Sequence, residues 1–535
     1  MKTNYDVIVV GYGPVGETCA NLLGYYKINS LILEKDNETF PLPRAITWDA
    51  ECKRAISYCN FETEVKTRRI RALDNLDANK NSIMKVSLDD FKIYDYQHEM
   101  LFMHQPQYDN TLRENAEKYQ TNTIKKGYEL LDYKEIDGVI NCKIKNCLNE
   151  KEEDVTCKYL LGCDGANSKI RKLSNTSLIS LDADETWMVV DGHTDKAFDC
   201  FKDVDAIQYC NPSRPITIIQ GVDNIFRFEI AFMPGDIVEE IQKEKVFSKY
   251  LKDWIGSRKV EFMRTAVYSF HAASAKKWKI GNVFLLGDAA HQMPPFMGQG
   301  MNSGCRDAEN LLWKISGVLN GFYSEDILET YESERKPHVD KITRAAITMG
   351  NIINAKSHFK AFLRNTFLKL QNFFQSSKNM FPAFMGTRLG IGIHKAKKIK
   401  DATIERYYFN IVNTQIENGK NKTTDELLGK NFGLILNNFT NNLNLSNEKL
   451  NLLNKHQFKI INFTDKKDKS NYENYIPCKS LNRDIDIYCK RYDCNGIILR
   501  PDKYVYDLIN YEDSSSLEII LSKVLESLEE KISLQ

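Results

Sequence analysis

Three glycines near the start of the chain have the spacing of a dinucleotide-binding turn. A β-branched run, DVIVV, predicts a buried parallel strand, and Gly11, Gly13 and Gly16 follow it. In such a turn the first glycine permits a tight bend, the second lets the backbone approach a pyrophosphate, and the third lets the helix pack on the strand. The helix predicted from Pro14 to Leu23 then directs its N-terminal amides at the phosphates.

A second predicted strand, SLILE, ends at Glu34, which lies 18 residues after Gly16. An acidic residue at this distance can accept hydrogen bonds from a ribose diol and would repel a 2′-phosphate. We therefore predict that Glu34 and the adjacent Lys35 bind the cofactor together with the three glycines and Pro14. This segment alone leaves the choice between FAD and NAD open.

A segment far along the chain distinguishes the two cofactors. VFLL predicts a strand that ends at Gly287 and Asp288, and a carboxylate there suits hydrogen bonding to a polyol such as the ribityl chain of a flavin. The loop PPFMGQG follows; prolines stiffen it, and glycines let backbone amides approach a flat ring. A helix predicted from Asn302 to Ile315 directs another N-terminus at that ring. The predicted flavin contacts are Gly287, Asp288, Pro295, Gly298, Gly300, Met301 and Asn302.

Three fingerprints in this order resemble the single-component FAD-dependent aromatic hydroxylases, the p-hydroxybenzoate and phenol hydroxylase superfamily. They are GYGPVG (11–16), CDGANSKIR (163–171) and GDAAHQMPP (287–295), and their spacing also fits that superfamily. The 3-(3-hydroxyphenyl)propionate hydroxylase-like branch is the most similar. The resemblance covers residues from 1 to roughly 350.

The resemblance implies further cofactor contacts. Arg44, in the stretch Pro43-Arg44-Ala45, resembles the family's flavin-contacting arginine. Gln105 and Arg113 resemble a cofactor-contacting glutamine and arginine on the helix that crosses the domain. Asp164 and Gly165 match the family's DG motif, which serves both FAD and the nicotinamide cofactor.

The resemblance also implies an activity. The chain is expected to be an FAD-dependent monooxygenase that uses NAD(P)H and O2 to hydroxylate a phenolic or aromatic small molecule through a flavin hydroperoxide. FAD is expected to bind non-covalently. Only one complete glycine fingerprint is present, so NAD(P)H is expected to be a transient reductant without its own nucleotide fold. The choice between NADH and NADPH stays open.

Asp49 and His271 are the catalytic candidates. Asp49, in RAITWDAE, resembles the aspartate that phenol hydroxylases place beside the substrate, where a base would favour the phenolate. The alternative is that Asp49 caps a helix. His271 follows the predicted strand AVYSF, and its alternative is an ordinary core or surface histidine. His291, after GDAA, is expected to support the flavin loop through hydrogen bonds.

Large side chains on the predicted strands of residues 181–275 are candidates to line the substrate pocket. They are Trp187, Met188, Phe226, Phe228 and Phe232. Because side chains alternate along a strand, half of them must face elsewhere. A carboxylated substrate would need a cation in the pocket; Arg227 is the candidate, with a solvent-facing position as its alternative.

The elements that must position these residues predict a mixed α/β protein. A discontinuous, Rossmann-like βαβ domain for FAD is predicted over residues 1–180 and 276–400, with an excursion into the substrate domain near 76–100. Residues 181–275 are predicted to form an antiparallel substrate-binding sheet. Residues 405–535 are similar to the thioredoxin-like C-terminal domain of phenol hydroxylase relatives, in which the turn Arg500-Pro501-Asp502 recurs. They have no CxxC, so a structural role or support of a homodimer is expected.

Composition excludes several other classes of protein. The 535 residues are too many for one core, and 42% hydrophobic with 27% charged residues is typical of a globular protein. A net charge of +1 provides no field for nucleic acid. No segment reaches about 18 uncharged apolar residues, the usual minimum for a membrane span. Thirteen cysteines without zinc spacing predict reduced thiols, no metal site and a cytoplasmic location.

Residues 340–400 are predicted to be helical, aromatic and basic, as in HFKAFLRNTFLKLQNFF and HKAKKIK. One interpretation is an amphipathic surface for a membrane or a partner. The favoured interpretation is that these helices pack under the catalytic domain with their lysines in solvent, so that membrane association is not expected.

Three alternatives to a simple phenol hydroxylase stay open at this point. The substrate could be a larger polycyclic compound, such as a polyketide or a tetracycline-like antibiotic. The chain could also be a catalytically silent FAD-binding protein that serves a partner. The third alternative is a membrane-associated hydroxylase of a quinone pathway, which the basic helices motivate.

Overall fold

The computed structural model describes residues 3–39, 44–59, 61, 65–88, 92–93, 96–97, 100–355, 357–373, 389, 393, 409, 412–416, 419–440, 442–465, 470–482 and 484–532. Pro43 and the basic run HKAKKIK, both used in the predictions above, lie outside these residues. Backbone contacts divide the chain into two compact units. The first unit comprises Met1–Ile93, Gln97–Ala308 and Val339–Gly386, and the second comprises Tyr94–Tyr96, Glu309–His338 and Thr387–Gln535.

The strands and helices up to residue 373 follow one another as short elements. In chain order the strands are β1 (Thr3–Val10), β2 (Ser30–Glu34), β3 (Thr47–Asp49), β4 (Thr67–Arg69), β5 (Ala72–Leu76), β6 (Ser82–Ser87), β7 (Lys92–Ile93), β8 (Tyr96–Gln97), β9 (Met100–Met103), β10 (Asn122–Lys126), β11 (Tyr128–Ile136), β12 (Val139–Asn146), β13 (Glu152–Gly162), β14 (Leu178–Ser180), β15 (Glu185–Thr194), β16 (Ala206–Tyr209), β17 (Ile216–Gln220), β18 (Ile225–Ala231), β19 (Val260–Phe270), β20 (Ala273–Ala275), β21 (Lys279–Ile280), β22 (Val283–Leu285) and β23 (His291–Gln292). The helices are α1 (Pro14–Tyr25), α2 (Ala50–Ile56), α3 (Gln105–Ala116), α4 (Lys169–Leu173), α5 (Val238–Ile241), α6 (Glu244–Ile255), α7 (Gly300–Leu319), α8 (Thr330–Ile353) and α9 (His358–Phe373).

The first sheet carries the glycine turn. Its strand order is β10-β2-β1-β13-β12-β11, and β22 pairs with β13 on a branch. Strands β10, β2, β1, β13 and β22 pair with one another in parallel, whereas β12 is antiparallel to β13 and to β11. Val7, Ile8 and Val9 are fully buried, which explains why a β-branched run occupies the central strand. The glycine turn and the strand before Gly287 therefore both leave this sheet at its carboxyl end, where ligands bind open α/β sheets.

The second sheet has the order β19-β15-β18-β17-β16-β5-β6. Its pairs are antiparallel except that β16 is parallel to β5. The excursion that the sequence predicts near 76–100 begins earlier, at Ala72 in β5. One face of the sheet packs on α6 in a core that includes Phe247, Leu251 and Trp254.

The opposite face of the second sheet packs against the loop before α7 and against α8. Trp187 and Ala231 cluster with Phe296 and Ile353. Ala206 and Ile219 cluster with Met297 and Met349. We call this surface, from β19 to β6, the site-facing side of the sheet, because it lies on the loop predicted to contact a flavin.

The second unit has its own mixed sheet. Its strands are β24 (Asn413–Ile416), β25 (Asn421–Thr423), β26 (Gly433–Asn437), β27 (Lys459–Phe463), β28 (Tyr475–Ser480), β29 (Gly496–Leu499) and β30 (Val505–Ile509), in the order β25-β24-β28-β27-β26-β29-β30. Its further helices are α10 (Thr424–Leu428), α11 (Asn447–Lys455), α12 (Asp484–Tyr492) and α13 (Ser514–Ile532). A core of Ile435, Ile461, Ile497 and Leu499 lies on one side of the sheet.

The boundary of the second unit differs from the predicted one. The prediction gave residues 276–400 to the second part of the FAD domain and a helical segment, whereas contacts group 309–338 with the second unit. Fully buried Arg500 explains the difference, because it donates to both carboxylate oxygens of Glu334, at 2.6 and 2.9 Å. Lys314 also pairs with Glu334, at 2.8 Å, and the indole of Trp313 donates to Asp502, at 3.2 Å.

All thirteen cysteines are free thiols. The described residues contain no cluster of three or more histidine, cysteine, aspartate or glutamate side chains suited to a metal ion. Within the same part of the chain, no helix combines the length and apolarity needed to traverse a bilayer.

Candidate functional site

The three glycines of the first turn differ in what a side chain would meet. A Cβ at Gly11, which has a φ of 99°, would collide with the carbonyl of Cys163, and one at Gly16 would collide with the carbonyl of Gly11. A Cβ at Gly13 would meet nothing within 4 Å. Gly13 also precedes the first residue of α1, Pro14. The backbone is therefore packed at two positions and open at the third, which is the arrangement a pyrophosphate needs at a helix N-terminus.

Arg113 on α3 supports the glycine turn from behind. Its guanidinium donates to the carbonyl of Tyr12, to Glu17 at 2.7 Å and to Thr39 at 2.8 Å. Its side chain is only 9% exposed. The position that resembles a cofactor-contacting arginine thus binds the backbone of the turn in this chain, and direct contact with a cofactor stays a prediction.

Glu34 ends β2 beside the same turn. One carboxylate oxygen accepts from the Tyr12 amide at 2.8 Å, and the other accepts from the Asp36 amide at 3.1 Å. The side chain is half-buried, and the neighbouring Lys35 is exposed. A carboxylate fixed in this way keeps acceptor capacity for a ribose diol, because each oxygen has a second lone pair.

Gln105 and Arg227 together fix the backbone at Arg44. The side-chain oxygen of Gln105 accepts from the amides of Arg44, at 2.8 Å, and Ala45, at 2.6 Å. Arg227 on β18 donates to the Arg44 carbonyl at 2.8 Å. The Arg44 side chain is exposed. The backbone of the predicted flavin-contacting arginine is therefore fixed by one residue of α3 and by one residue on the site-facing side of the second sheet.

The second and third fingerprints are joined by Arg171. Its guanidinium donates to the carbonyl of Ala289 at 2.9 Å and to that of Ala166 at 2.7 Å. Asp164 caps α4, because one oxygen accepts from the amides of Lys169, at 2.6 Å, and Ile170, at 3.0 Å. Its other oxygen, Oδ1, is buried and accepts no hydrogen bond from the described residues.

Gly165 and Gly287 have left-handed backbones, with φ values of 76° and 58°. A Cβ at Gly165 would meet nothing within 4 Å, whereas one at Gly287 would lie 2.9 Å from a methyl carbon of Val15. Val15 is in the first turn of α1. The GD turn therefore packs directly beside the glycine turn, so the fingerprints that are far apart in sequence meet in the fold.

Asp288 belongs to the GD turn, beside the glycine turn. Its side chain is exposed to solvent, yet the surrounding protein desolvates it enough to raise the pKa of its carboxyl. His291, Arg44 and Arg171 oppose that rise through their charges. An accessible carboxyl at this position suits hydrogen bonding to a polyol.

Asp307 on α7 anchors the GD turn from below. It accepts from the Gly287 amide at 3.1 Å and contacts Nε2 of His291 at 2.7 Å. The His291 ring also stacks on Trp278, with centroids 5.0 Å apart. His291 is 1% exposed, and its role in the fold is the support of this loop.

The loop from Pro294 to Gly300 is held at Gly298. The Gly298 carbonyl accepts from the Thr47 hydroxyl and from the Asn302 side-chain amide, both at 2.9 Å. Gly298 has a φ of 61° and closes a 3-10 turn, Pro295–Met297. A Cβ at Gly300 would have its nearest neighbour 3.8 Å away, and Met301 is half-buried. The loop is thus braced on one side and open at the start of α7.

Asp49 is fully buried and both carboxylate oxygens have partners. One caps α2 by accepting from the Cys52 amide at 2.8 Å, and the other pairs with Arg306. Arg306 also binds Glu51 at 2.6 Å and Gln299 at 3.1 Å. Of the two interpretations left open by the sequence, these contacts favour the helix cap, and a role for Asp49 as a base stays a prediction.

His271 lies on the surface at the end of β19. Its side chain is 53% exposed and contacts Asp184 at 3.0 Å. The contacts described for the cofactor turns do not include it. The geometry favours the interpretation of an ordinary surface histidine, and a catalytic role for His271 stays a prediction.

Strand register separates the predicted pocket residues. Met188, Phe226, Phe228 and Phe232 belong to the core that packs on α6. Trp187 lies on the other face, where its ring meets that of Phe296 edge to face, with centroids 5.6 Å apart. Of the five candidates, the site-facing side therefore contains Trp187.

Arg227 is buried on the site-facing side and does not point into solvent. Its guanidinium binds both oxygens of Asp191, at 2.7 and 3.0 Å, with 4% of its side chain exposed. Arg264, on the strand β19 that adjoins β15, lies 3.7 Å from the same aspartate. Much of the positive charge that a substrate carboxylate would need is therefore already compensated within the sheet.

Glu229 lies two residues along the same face from Arg227, between Val189 and Thr217 on the adjacent strands. Its side chain is 13% exposed, and its nearest charged partner is Arg227 at 3.9 Å. Burial raises the pKa of its carboxyl, although Arg227 opposes the rise. A half-buried carboxyl whose charged partner lies at 3.9 Å can also accept a hydrogen bond from a ligand, because its oxygens have further lone pairs.

Several residues that build this site were not predicted from the sequence: Glu17, Arg171, Glu229, Gln299, Arg306 and Asp307. Arg171 was within reach of sequence reasoning, because it ends the fingerprint CDGANSKIR. Glu229 could have been found by noting that it alternates with Arg227 on one strand face. The pairing of Arg306 with Asp49 has no local signal, because 257 positions separate them.

The residues present fit FAD. The open position at Gly13, the unpartnered oxygen of Asp164 and the accessible Asp288 provide places for a pyrophosphate, for a hydrogen-bond donor and for a polyol. Glycines at both turns prevent side chains from filling these places. An NAD site would need the first turn alone, so the second and third fingerprints would have no role in it.

Comparisons with known proteins agree with this geometry. The family described as FAD binding domain matches residues 4–346, and the HcaD C-terminal domain matches residues 411–521. A 3-(3-hydroxy-phenyl)propionate/3-hydroxycinnamic acid hydroxylase of Comamonas testosteroni is 29% identical over 381 residues, which are 70% of this chain. The matched stretch spans 63% of that relative, less than two thirds of its length.

Solved structures share the fold over nearly the whole chain. The flavin-dependent monooxygenase PieE, in complex with FAD and substrate, has a TM-score of 0.77 at 16% identity and covers 98% of this chain and 99% of its own. OxyS anhydrotetracycline hydroxylase from Streptomyces rimosus has a TM-score of 0.73 at 18% identity, with coverages of 98% and 99%. The predicted fold class is confirmed by these matches.

Proposed function

This chain belongs to the FAD binding domain family of flavoprotein aromatic hydroxylases, and on that premise we propose that it uses NAD(P)H and O2 to hydroxylate a phenolic compound. One observation carries the proposal. Three fingerprints meet beside Asp288, and a sheet face that includes half-buried Glu229 packs on the adjoining loop. Bound FAD would supply the redox chemistry, by accepting a hydride and, once reduced, activating O2.

The chain's own residues would bind and orient the cofactor. The amides at Gly13 and the start of α1 would hold the pyrophosphate, Glu34 the ribose, and Asp288 the polyol. The braced loop at Gly298 and the N-terminus of α7 would face the ring. Gln105 would keep Arg44 beside it through the Arg44 backbone.

The site-facing side of the second sheet would bind the substrate. Trp187 and Phe296 would exclude water from the reacting ring. Glu229 would accept the proton of a phenolic hydroxyl, since its burial favours the protonated form more than in an ordinary glutamate. Because Arg227 is committed to Asp191, we propose that the phenol, rather than a carboxylate side chain, is the recognised group.

A single-ring phenol is the proposed substrate class, since the relatives that are similar over most of this chain are named for 3-hydroxyphenyl compounds. The polycyclic alternative draws on fold neighbours such as the anhydrotetracycline hydroxylase. A panel of phenol, 3-(3-hydroxyphenyl)propionate and anhydrotetracycline separates the two. Acceleration of flavin reduction by the polycyclic compound alone would favour the alternative.

The test begins with the absorption spectrum of the purified chain, followed by NADH and NADPH titrations with and without each compound. We expect the visible bands of bound flavin and faster flavin reduction in the presence of a phenol. A colourless protein that FAD does not reconstitute would contradict the proposal. Bound FAD that no aromatic compound helps to reduce would favour the catalytically silent alternative.

The variant Asp288→Asn tests the cofactor assignment separately. It keeps the shape but removes a carboxylate acceptor from the GD turn, so we expect weaker FAD retention through gel filtration. Asp184→Asn is the matched control, because Asp184 is an exposed surface carboxylate. Equal flavin content in both variants would remove Asp288 from the proposed cofactor site.

A further inference from the structure

Helix α9 exposes a continuous apolar stripe. Its members are Phe359, Phe362, Leu363, Phe367 and Leu370, with 70%, 65%, 51%, 58% and 53% of their surfaces exposed. Positions i, i+3, i+4, i+8 and i+11 fall on one face of a helix. Fifteen large hydrophobic residues are exposed in the described part of the chain, and these five are the ones concentrated on a single element. Apolar patches of this kind on a soluble domain mark interaction sites.

The opposite face of α9 fixes the helix to the first unit. Ala361 and Leu368 are buried, and Leu368 packs with Trp187 and Ile353. Arg364 donates to the carbonyls of Ile352, at 2.9 Å, and Cys210, at 2.8 Å. The helix is therefore held on its buried side, and the exposure of the stripe is not the fraying of a loose segment.

Positive charge borders the stripe. At about 100° per residue, Lys360 and Lys369 project at its two edges. Lys369 also pairs with Asp77 at 3.4 Å, so Lys360 contributes the less compensated charge. Helix α9 contains no aspartate or glutamate, and the sequence from residue 341 to residue 400 contains none either, against twelve lysines and arginines. Aromatic and aliphatic side chains flanked by lysines are the composition of helices that lie in the plane of a membrane interface.

We propose that the exposed stripe of α9 docks on the surface of an anionic lipid membrane. The phenylalanines and leucines would enter the boundary between headgroups and acyl chains, and the lysines would remain among the anionic headgroups. A second copy of the chain would fit less well, because it would bring two acid-free basic helices together. Such a contact is peripheral, so it needs no membrane-spanning helix. The sequence-based expectation against membrane association concerned spanning segments and helix packing, and a peripheral contact through the exposed face of α9 is compatible with both.

Sedimentation with vesicles tests this docking on the full-length, flavin-loaded protein. Vesicles of phosphatidylcholine, with and without phosphatidylglycerol, are the probes. We expect co-sedimentation with the anionic vesicles, weakened by salt and by omission of the anionic lipid. Full recovery of the protein in the supernatant with anionic vesicles at low salt would overturn the proposal.

Matched variants assign the binding to the stripe. Phe362→Gln combined with Phe367→Gln is expected to lower the vesicle partition coefficient at least about tenfold, because two aromatic insertions are lost. Ile519→Gln is the control, since Ile519 is 57% exposed on another helix, and it should bind as the unaltered chain does. Equal binding by the double variant and the control would overturn the assignment.

Two further measurements keep the test decisive. If the double variant loses its flavin, Lys360→Glu reverses a charge at the edge of the stripe without touching its apolar residues, and it should weaken binding to anionic vesicles only. Unchanged binding of that variant would overturn the proposal. Analytical ultracentrifugation without lipid identifies the other occupant: a dimer that the stripe variants dissociate would assign the face to a second copy and overturn membrane docking.

Discussion

Glu229 is the residue at which chemistry on the substrate can be tested most directly. Glu229→Gln keeps the size of the side chain but cannot take up a proton, so we expect kcat/KM for a phenol to fall about 10²-fold. Flavin content should not change, because Glu229 contacts none of the cofactor turns. The acidic limb of the pH profile of kcat/KM should also disappear. Stopped-flow reduction of the flavin and coupled product formation measure both effects.

The control for Glu229 is Glu261→Gln, an exposed glutamate on strand β19 of the same sheet. If Glu229→Gln leaves kcat/KM and its pH profile equal to those of the control, Glu229 has no part in the reaction. Asp49→Asn then becomes the next variant to examine. Its effect should be a loss of stability, because Asp49 caps α2 and pairs with Arg306.

The buried carboxyl of Asp109, which contacts Gln105, predicts that the stability of the fold depends on pH. Burial raises its pKa to about 6, although Arg113 opposes the rise, and Asp109 accepts a hydrogen bond from Gln105 at 3.2 Å. Between the ordinary value of 3.8 and about 6, the folded state binds more protons than the unfolded state. The free energy of unfolding contributed by Asp109 therefore falls as the pH rises through that range.

The variant Asp109→Asn should abolish this contribution. We expect the free energy of unfolding, measured with urea at pH 4.5, 5.5 and 6.5, to fall less steeply with pH in the variant than in the unaltered chain. Buried Glu17 also has a raised pKa, so its contribution to the slope is present in both proteins. Identical slopes would show that Asp109 titrates as an ordinary carboxyl. Any change in FAD affinity over the same range would report on Gln105, which links Asp109 to Arg44.

The sequence identifies individual residues where a fingerprint fixes their position relative to a turn. Gly13, Asp164 and Asp288 could be placed in their turns because the fingerprints set their spacing, and their contacts with a cofactor stay predictions. The partners of Arg227 could not, because its pairing with Asp191 depends on the register between two strands that are 36 positions apart. For the same reason, the sequence left open whether Arg227 is buried.

Arg171, on α4, connects the DG turn to the GD turn through its hydrogen bonds, and a variant can remove this connection. Arg171→Met keeps the packing of a long side chain but frees the carbonyls of Ala289 and Ala166. The GD turn should then move relative to the DG turn, and FAD should dissociate about tenfold more readily, since each lost charged hydrogen bond is worth roughly 1.5–3 kcal/mol. Fluorescence of released FAD measures the dissociation.

Lys172→Met is the matched control, because Lys172 is the exposed neighbour of Arg171 on α4. The control should retain FAD as the unaltered chain does. Equal retention by the two variants would mean that Arg171 does not hold the fingerprints together. Loss of flavin in both would point to a general weakening of α4.

The strands and helices were largely predictable, but the direction in which each strand face points was not. The buried run DVIVV becomes the central strand β1, and Trp187 and Met188, which were expected on a strand, lie in β15. Alternation states that Trp187 and Met188 face opposite ways, but it does not state which one faces the site. That choice is made by tertiary packing, because Phe296 covers Trp187 and the core on α6 receives Met188.

For the molecule as a whole, the second unit shows what sequence patterns leave out. Its α/β character and the turn Arg500-Pro501-Asp502 were expected from the resemblance to phenol hydroxylase relatives. The inclusion of residues 309–338 was not, because it depends on buried ion pairs between segments as far as 166 positions apart. Arg500 thus explains why the RPD turn is present: it builds the core of this unit rather than a redox site.

Arg500→Met tests that interpretation. It removes a buried guanidinium from Glu334 and Asp502 and leaves two carboxylates without their main partner. Breaking a buried pair in this way costs about 3–5 kcal/mol, so the unfolding midpoint of the second unit should fall markedly. Burial alone would raise the pKa of Glu334, but Arg500 and Lys314 hold it well below its ordinary value. The stabilisation is therefore present above the ordinary glutamate pKa and lost as the pH falls below it.

The control is Arg491→Met, which removes an exposed arginine from α12. Denaturation of the full chain, followed by circular dichroism and by flavin absorbance in parallel, measures the effect. The double variant Arg500→Met with Glu334→Gln should regain part of the lost stability at neutral pH, because it removes one of the uncompensated buried charges. If Arg500→Met unfolds at the same denaturant concentration as the control, the buried network does not stabilise the second unit. A double variant less stable than Arg500→Met alone would show that Glu334 is held by Lys314 rather than by Arg500.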